Sequence, residues 1–219
     1  MKFIKLPLIF SALTLIILTN CTKDKKVESE TTAVTTSKNG KVYEVNTVTS
    51  KIEWKGYKIV KSENAGHIGN ISMKSGEVTV NNGKLESGKF VADMTTLTSE
   101  DLKNDPENLA KLNGHLKSAD FFDVEKYPTT TYEITKVSEA PAGSDYNTIL
   151  DGNLTIKGIT KPVQFNANVS MEGETIKIAT QPKDISREQF GIVFQMPAAN
   201  GLIKDEMTLQ IVANASAKK

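Results

Sequence analysis

From Val42 onward the chain alternates apolar and polar residues with period 2, the pattern of strands with one buried and one wet face. Ile52 and Trp54 alternate with Lys51, Glu53 and Lys55, and Phe90, Ala92 and Met94 with Val91, Asp93 and Thr95. The longest run puts Ile159, Val163, Phe165, Ala167, Val169 and Met171 on one face, opposite Gln164, Asn166, Asn168 and Ser170. Ile176 and Ile178 follow, and then Met207, Leu209, Ile211 and Ala213 opposite Thr208, Gln210, Val212 and Asn214. Turn-forming groups separate these runs: Asn81-Asn82-Gly83, Glu139 to Gly143, Gly158, Glu172-Gly173 and Ala199-Asn200-Gly201. The pattern predicts about eight strands in an antiparallel, all-β arrangement with one wet face.

One interval breaks the rhythm. Between Thr98 and Ser118, Leu102, Leu109, Leu112 and Leu116 recur at helical spacing, and Asp105 stands where it can cap a helix starting at Pro106. This predicts a short helix, or two joined at Asp105-Pro106, with its leucines packed on the sheet or across one opening of a barrel. The amphipathic strands must bring their apolar faces together by stacking or by closing into a barrel. Closure removes exposed edges, and an eight-stranded barrel leaves room for side chains or one slender ligand. Periodicity leaves that choice open.

Composition narrows the function. Lys and Arg number 27 against 26 Asp and Glu, so the chain lacks the basic excess that neutralises nucleic-acid phosphates. With one cysteine and two histidines it can form neither an internal disulfide nor a Cys/His zinc cage, and no metal or cofactor is expected. It also lacks a Gly-x-Ser-x-Gly elbow, a His-Glu-x-x-His helix and a phosphate loop, which points away from an enzyme.

The lone cysteine takes its meaning from its place. Lys2 and Lys5 precede the apolar run Leu6 to Leu18, too short for a bilayer span of roughly 20 residues and patterned as an export signal. Cys21 at its end resembles the lipidation site of a bacterial lipoprotein, cleaved so that the thiol carries the membrane anchor. Asn20 stands where such sites prefer Gly, Ala or Ser, which puts efficient cleavage in question. The alternative is an uncleaved hydrophobic anchor with a free cysteine. Thr22 to Lys41 has no aromatic residue and reads as a flexible tether reaching about 25 Å as a coil. The chain thus divides into a signal peptide (1–20), a lipidated cysteine and tether (21–41), a barrel (42–214) and a tail (215–219). It is expected in the cell envelope, on the periplasmic face or in the outer membrane.

Five ordered blocks carry a family resemblance: Ser50-Lys-Ile-Glu-Trp-Lys-Gly56, Gly66-His-Ile-Gly69, His115 to Pro128, Gly152 to Val163, and Asp184-Ile-Ser-Arg-Glu-Gln-Phe-Gly-Ile192. In order and spacing they resemble the YceI-like family over roughly Val42 to Ala213. The resemblance implies an extended eight-stranded antiparallel lipocalin-like barrel with a short helical insertion. Its apolar interior would hold a polyisoprenoid, a quinone or another long-chain amphiphile, with no established cofactor chemistry. The remaining function classes are a structural envelope module with a self-filled core and an enzyme acting on a lipid-like substrate.

The candidate inner wall comprises Trp54, Phe90, Met94, Phe165 and Met171, with Phe121, Phe122, Phe190 and Phe194 near an opening. Such aromatic and Met side chains serve equally as plain core. His67 stands to face a ligand head group or to bond backbone, and His115 to serve a helix C-terminus. Arg187 would pair with Asp184 or clamp a phosphate. One apolar tube per chain requires no partner, so a monomer or homodimer is expected.

Overall fold

The period-2 runs become strands in a computed structural model that describes residues 40–218; Cys21, the signal segment and tether residues 22–39 lie outside the described residues, whereas Lys41, expected as the end of the tether, pairs with Val80 as the first residue of a strand. The strands are β1 (Lys41–Val45), β2 (Lys51–Val60), β3 (Glu63–Asn81), β4 (Lys84–Asp93), β5 (Thr98–Ser99), β6 (Thr129–Glu139), β7 (Thr148–Ile156), β8 (Ile159–Glu172), β9 (Thr175–Thr180), β10 (Lys183–Ser186) and β11 (Leu202–Ala217). One helix, α1 (Pro106–Lys117), interrupts them. All pairings are antiparallel, and they run β2–β3–β4–β6–β7–β8–β9–β11 with β11 returning to β2, which closes the sheet on itself.

Eleven strands make eight courses around this barrel, because three courses are broken in two. β1 and β2 both lie between β3 and β11, β4 and β5 both border β3, and β9 and β10 both border β11. Each break has a local cause. Asn46 Oδ1 accepts the N–H groups of Val48 and Thr49 at 3.0 and 3.2 Å, turning the chain between β1 and β2. Asp93 accepts the Thr95 N–H at 3.0 Å and caps a single helical turn, Met94–Thr96, between β4 and β5. Pro182, with no N–H to give a ladder, separates β9 from β10.

The two ends of the barrel differ. At the lower end lie the connections 82–83, 140–147 and 173–174 together with both termini of the described chain. At the upper end lie the long segments 94–128 and 187–201. β11 runs through Ala217, which pairs with Tyr43, so residues 215–217 belong to the barrel and not to a tail. Helix α1 follows the expected chemistry: the Asp105 carboxylate accepts the Asn108 N–H at 3.1 Å and Pro106 begins the first turn. None of its residues is fully buried, and it spans the upper opening with Leu116 against the core.

The lower half of the barrel is solid. Ile134, Leu150, Phe165, Ala167, Ile176 and Ile178 are all completely buried there. The Tyr132 ring meets Phe165 edge-on at 5.1 Å, and its hydroxyl lies 2.8 and 3.0 Å from the carbonyls of Leu150 and Val163. Burial pushes this phenol far above its ordinary ionisation range. Gly152 makes the arrangement possible, since a Cβ there would lie 2.4 Å from the Tyr132 ring.

Candidate functional site

Above the solid half the inner face opens into a cavity of about 90 Å³ walled by Ile52, Trp54, Ile71, Ala92, Met94 and Leu97, with Leu116, Phe121, Phe122 and Ile192 descending from the upper segments. Register explains where it begins. Ala92 pairs with Thr130 at the cavity wall, and one inner-face step lower Phe90 pairs with Tyr132 in the filled core. A vestibule of about 300 Å³ leads outward from it, lined by Lys58, Gly66, His67, Leu112, His115, Phe194 and Met196. Trp54, Gly56, Tyr57, Leu116, Phe121 and Ile203 line both spaces and so form the neck.

The neck is shaped by small residues opposite a large one. Trp54 pairs with Gly69 across β2 and β3, where a Cβ would lie 2.4 Å from the indole. The indole Nε1 is buried and has no hydrogen-bond partner among the described residues. On the helix side, the His115 ring stands edge-on to Phe194 at 4.7 Å and to Phe121 at 5.0 Å, and its Nε2 lies 3.6 Å from the Asp120 carboxylate. These rings form an aromatic collar around the vestibule.

On the strand side, His67 is held by side chains and not by backbone. Its Nδ1 lies 2.8 Å from Asp101 Oδ2, and its Nε2 lies 3.2 Å from the Lys58 ammonium. Because an ammonium only donates, Nε2 is the acceptor and Nδ1 carries the proton given to Asp101. Asp101 also accepts from the Ile68 N–H at 2.9 Å and the Ser99 hydroxyl at 2.8 Å. Partial desolvation works to raise the Asp101 carboxyl, but these donors outweigh it and hold it down at about 2.

Arg187 departs from both expectations. It is buried, and its Nε–H donates to the Lys204 carbonyl at 3.0 Å while the terminal nitrogens donate to the carbonyls of Ile192 and Ile203. Asp184 is instead bonded by the Thr208 hydroxyl. The guanidinium fork is therefore committed to tying segment 187–201 to β11.

The candidate residues separate by height along the barrel. Trp54, Met94, Phe121, Phe122 and Arg187 border the cavity, and His67 and Phe194 border the vestibule. Phe90, Phe165 and Phe190 are fully buried in the core, away from both spaces. Met171 is half-buried at the lower end, paired with Ile176. Lys58 was the residue missed: it continues the Ile52, Trp54, Gly56 alternation, which alone places it on the inner face. Asp101 had no such signal.

Known proteins share this architecture. The crystal structure of BcnA from Burkholderia cenocepacia superposes with a TM-score of 0.59 at 22% identity, covering 78% of this chain and 99% of that one. A polyisoprenoid-binding domain from Saccharophagus degradans, implicated in plant cell wall breakdown, gives a TM-score of 0.53 at 12% identity over 80% of this chain and 98% of its own. A UPF0312 protein of Shewanella baltica is 28% identical over 127 residues, and the match spans 58% of each chain. The YceI-like domain model matches residues 43–215, most of the chain and nearly the whole barrel, so this chain belongs to the YceI-like domain family.

Proposed function

We propose that the protein binds the apolar tail of a long-chain amphiphile, such as a polyisoprenoid, a quinone or a fatty chain, in the upper half of its barrel. It would act in the cell envelope, tethered through Cys21, by carrying or sequestering that molecule without turning it over. The observation that carries this reading is the largely hydrocarbon-walled cavity reached through an aromatic-collared vestibule. Each methylene moved from water into such a site contributes about 0.8 kcal/mol, so length of tail covered supplies affinity. A cavity of about 90 Å³ holds only part of such a chain, with Leu116, Phe121 and Phe122 lining it from the upper segments. The solid lower half favours a second reading, a structural module filled by its own side chains.

Extraction of the protein from its native envelope, followed by mass spectrometry of the solvent extract, separates the two. A stoichiometric co-purifying amphiphile is expected. An empty extract, together with no displacement of a bound hydrophobic fluorophore by prenyl or fatty chains, leaves the structural reading.

A further inference from the structure

The apolar walls of the cavity suit a tail but leave unexplained the cation above its neck. Along the inner face of β2, Ile52, Trp54 and Gly56 lead to Lys58, so the alternation that builds the apolar wall ends in an ammonium beside the vestibule. Several lysines hold a glutamate at the surface: Lys41 with Glu174, Lys84 with Glu139 and Lys177 with Glu172 on the strands, and Lys111 with Glu107 on α1. Lys58 has none. It is half-buried, its one recorded partner is His67 Nε2 at 3.2 Å, and its nitrogen has no carboxylate oxygen within 4.0 Å among the described residues.

The surroundings fix that ammonium in place without neutralising it by contact. His67 presents a lone pair to Lys58 because its other nitrogen donates to Asp101. Asp101 in turn is engaged by the Ser99 hydroxyl and the Ile68 N–H. The negative charge therefore sits behind the imidazole, and two of the three ammonium protons have no acceptor among the described residues. A partly desolvated ammonium attracts an oxyanion more strongly than one in bulk water does.

We infer that the vestibule recognises the anionic head of the amphiphile, a carboxylate or phosphate ester, through the Lys58 ammonium. His67 and Asp101 act as positioning residues, and the tail lies below through the neck. This inference rests on the tail-binding reading, and commits it to acidic amphiphiles over their neutral counterparts.

Calorimetric titration of the full chain with matched pairs tests it: farnesyl phosphate against farnesol, and dodecanoic acid against dodecanol, with inorganic phosphate alone as a further arm. The anionic member of each pair is expected to bind about tenfold more tightly or better, a difference worth about 1.4 kcal/mol. Lys58→Met should bring that ratio to about one by weakening the anionic members, while Lys58→Arg should preserve it. His67→Phe, which removes the acceptor that aims Lys58, should lower the ratio. Equal affinity for acid and alcohol, or an unchanged ratio in Lys58→Met, overturns the inference while tail binding stands. Binding of inorganic phosphate as tightly as farnesyl phosphate overturns it in favour of a free-anion site. If no member of either pair binds, the tail reading itself fails and takes this one with it.

Discussion

The His67 imidazole lies 2.8 Å from the Asp101 carboxylate, joining β3 to the segment after β5 across 34 residues of chain. The interaction has a stability signature. Asp101 is held at about 2 in the fold against 3.8 in the unfolded chain, so the folded state favours its charged form. Its contribution is fully present above about pH 4 and is lost as pH falls through about 2. With the side chain 32% exposed, solvent screening reduces the full linkage value to about 1–2 kcal/mol. Asp101→Asn should therefore lower unfolding stability by that amount at pH 7 and by much less near pH 2. Urea denaturation at both pH values checks this, and an equal loss at both would refute it.

Beneath the cavity, Gly152 and Tyr132 are coupled by shape. A methyl group at position 152 would meet the Tyr132 ring at 2.4 Å, with the hydroxyl oxygen at 2.6 Å. Gly152→Ala should cost about 1–3 kcal/mol through overpacking. Most of that cost should disappear in a Tyr132→Leu background, where the ring is gone. A double-mutant cycle on thermal unfolding measures the coupling, and additive losses would show that the clash is relieved elsewhere.

What the sequence made legible was local. The alternation of Met207, Leu209, Ile211 and Ala213 predicts one face of β11, and all four are buried; Asp105-Pro106 predicts the start of α1, and that is where it starts. Two of the three broken courses escaped because side chain to backbone bonds at Asn46 and Asp93, not hydrophobic pattern, interrupt them. The site was only half legible for a different reason. Trp54 and Phe165 both belong to the inner face, but their height in the barrel depends on strand register, with Trp54 set against Leu209 near the far end of the chain, and that register separates cavity wall from core. Lys58 meets Asp101 only through His67, a relation no spacing along the chain encodes.

Arg187 should behave as a structural tie. Its nitrogens serve three backbone carbonyls, so Arg187→Lys keeps the charge but cannot reproduce the planar fork. The loss should be about 2–4 kcal/mol, since buried carbonyls and a buried charge lose partners together. Thermal unfolding should register this, while the preference for acidic over neutral amphiphiles stays unchanged. A lost preference in a protein of normal stability would return Arg187 to the role of anion clamp.

Ala92 offers a way to block the cavity without emptying the core. It is buried at the cavity wall, directly opposite Met73 on β3 and Thr130 on β6. Ala92→Leu adds three carbon atoms to a space of about 90 Å³, where vacant volume limits the overpacking cost to about 1–3 kcal/mol at most. Tail binding should fall sharply while the fold persists, as read by fluorophore displacement beside a melting curve. Undiminished binding would place the tail elsewhere.

The proposed anchorage and the proposed binding should be separable, because the described chain begins at the end of the barrel opposite the vestibule. Residues 40 and 41, where the described chain begins, lie at the lower end, whereas Lys58, His67 and Ile203 surround the upper mouth. A lipid on Cys21 followed by a tether would then hold the barrel by its solid end, with its mouth free to face away from the anchoring surface. Cys21→Ser should move the protein from the membrane pellet to the soluble fraction and abolish labelling by a radioactive fatty acid. Because no part of the cavity depends on the anchor, the soluble form should retain the same melting temperature and the same amphiphile affinity. A Cys21→Ser protein that still sediments with membranes would show that the uncleaved apolar segment Leu6 to Leu18, and not a lipid, holds the chain there.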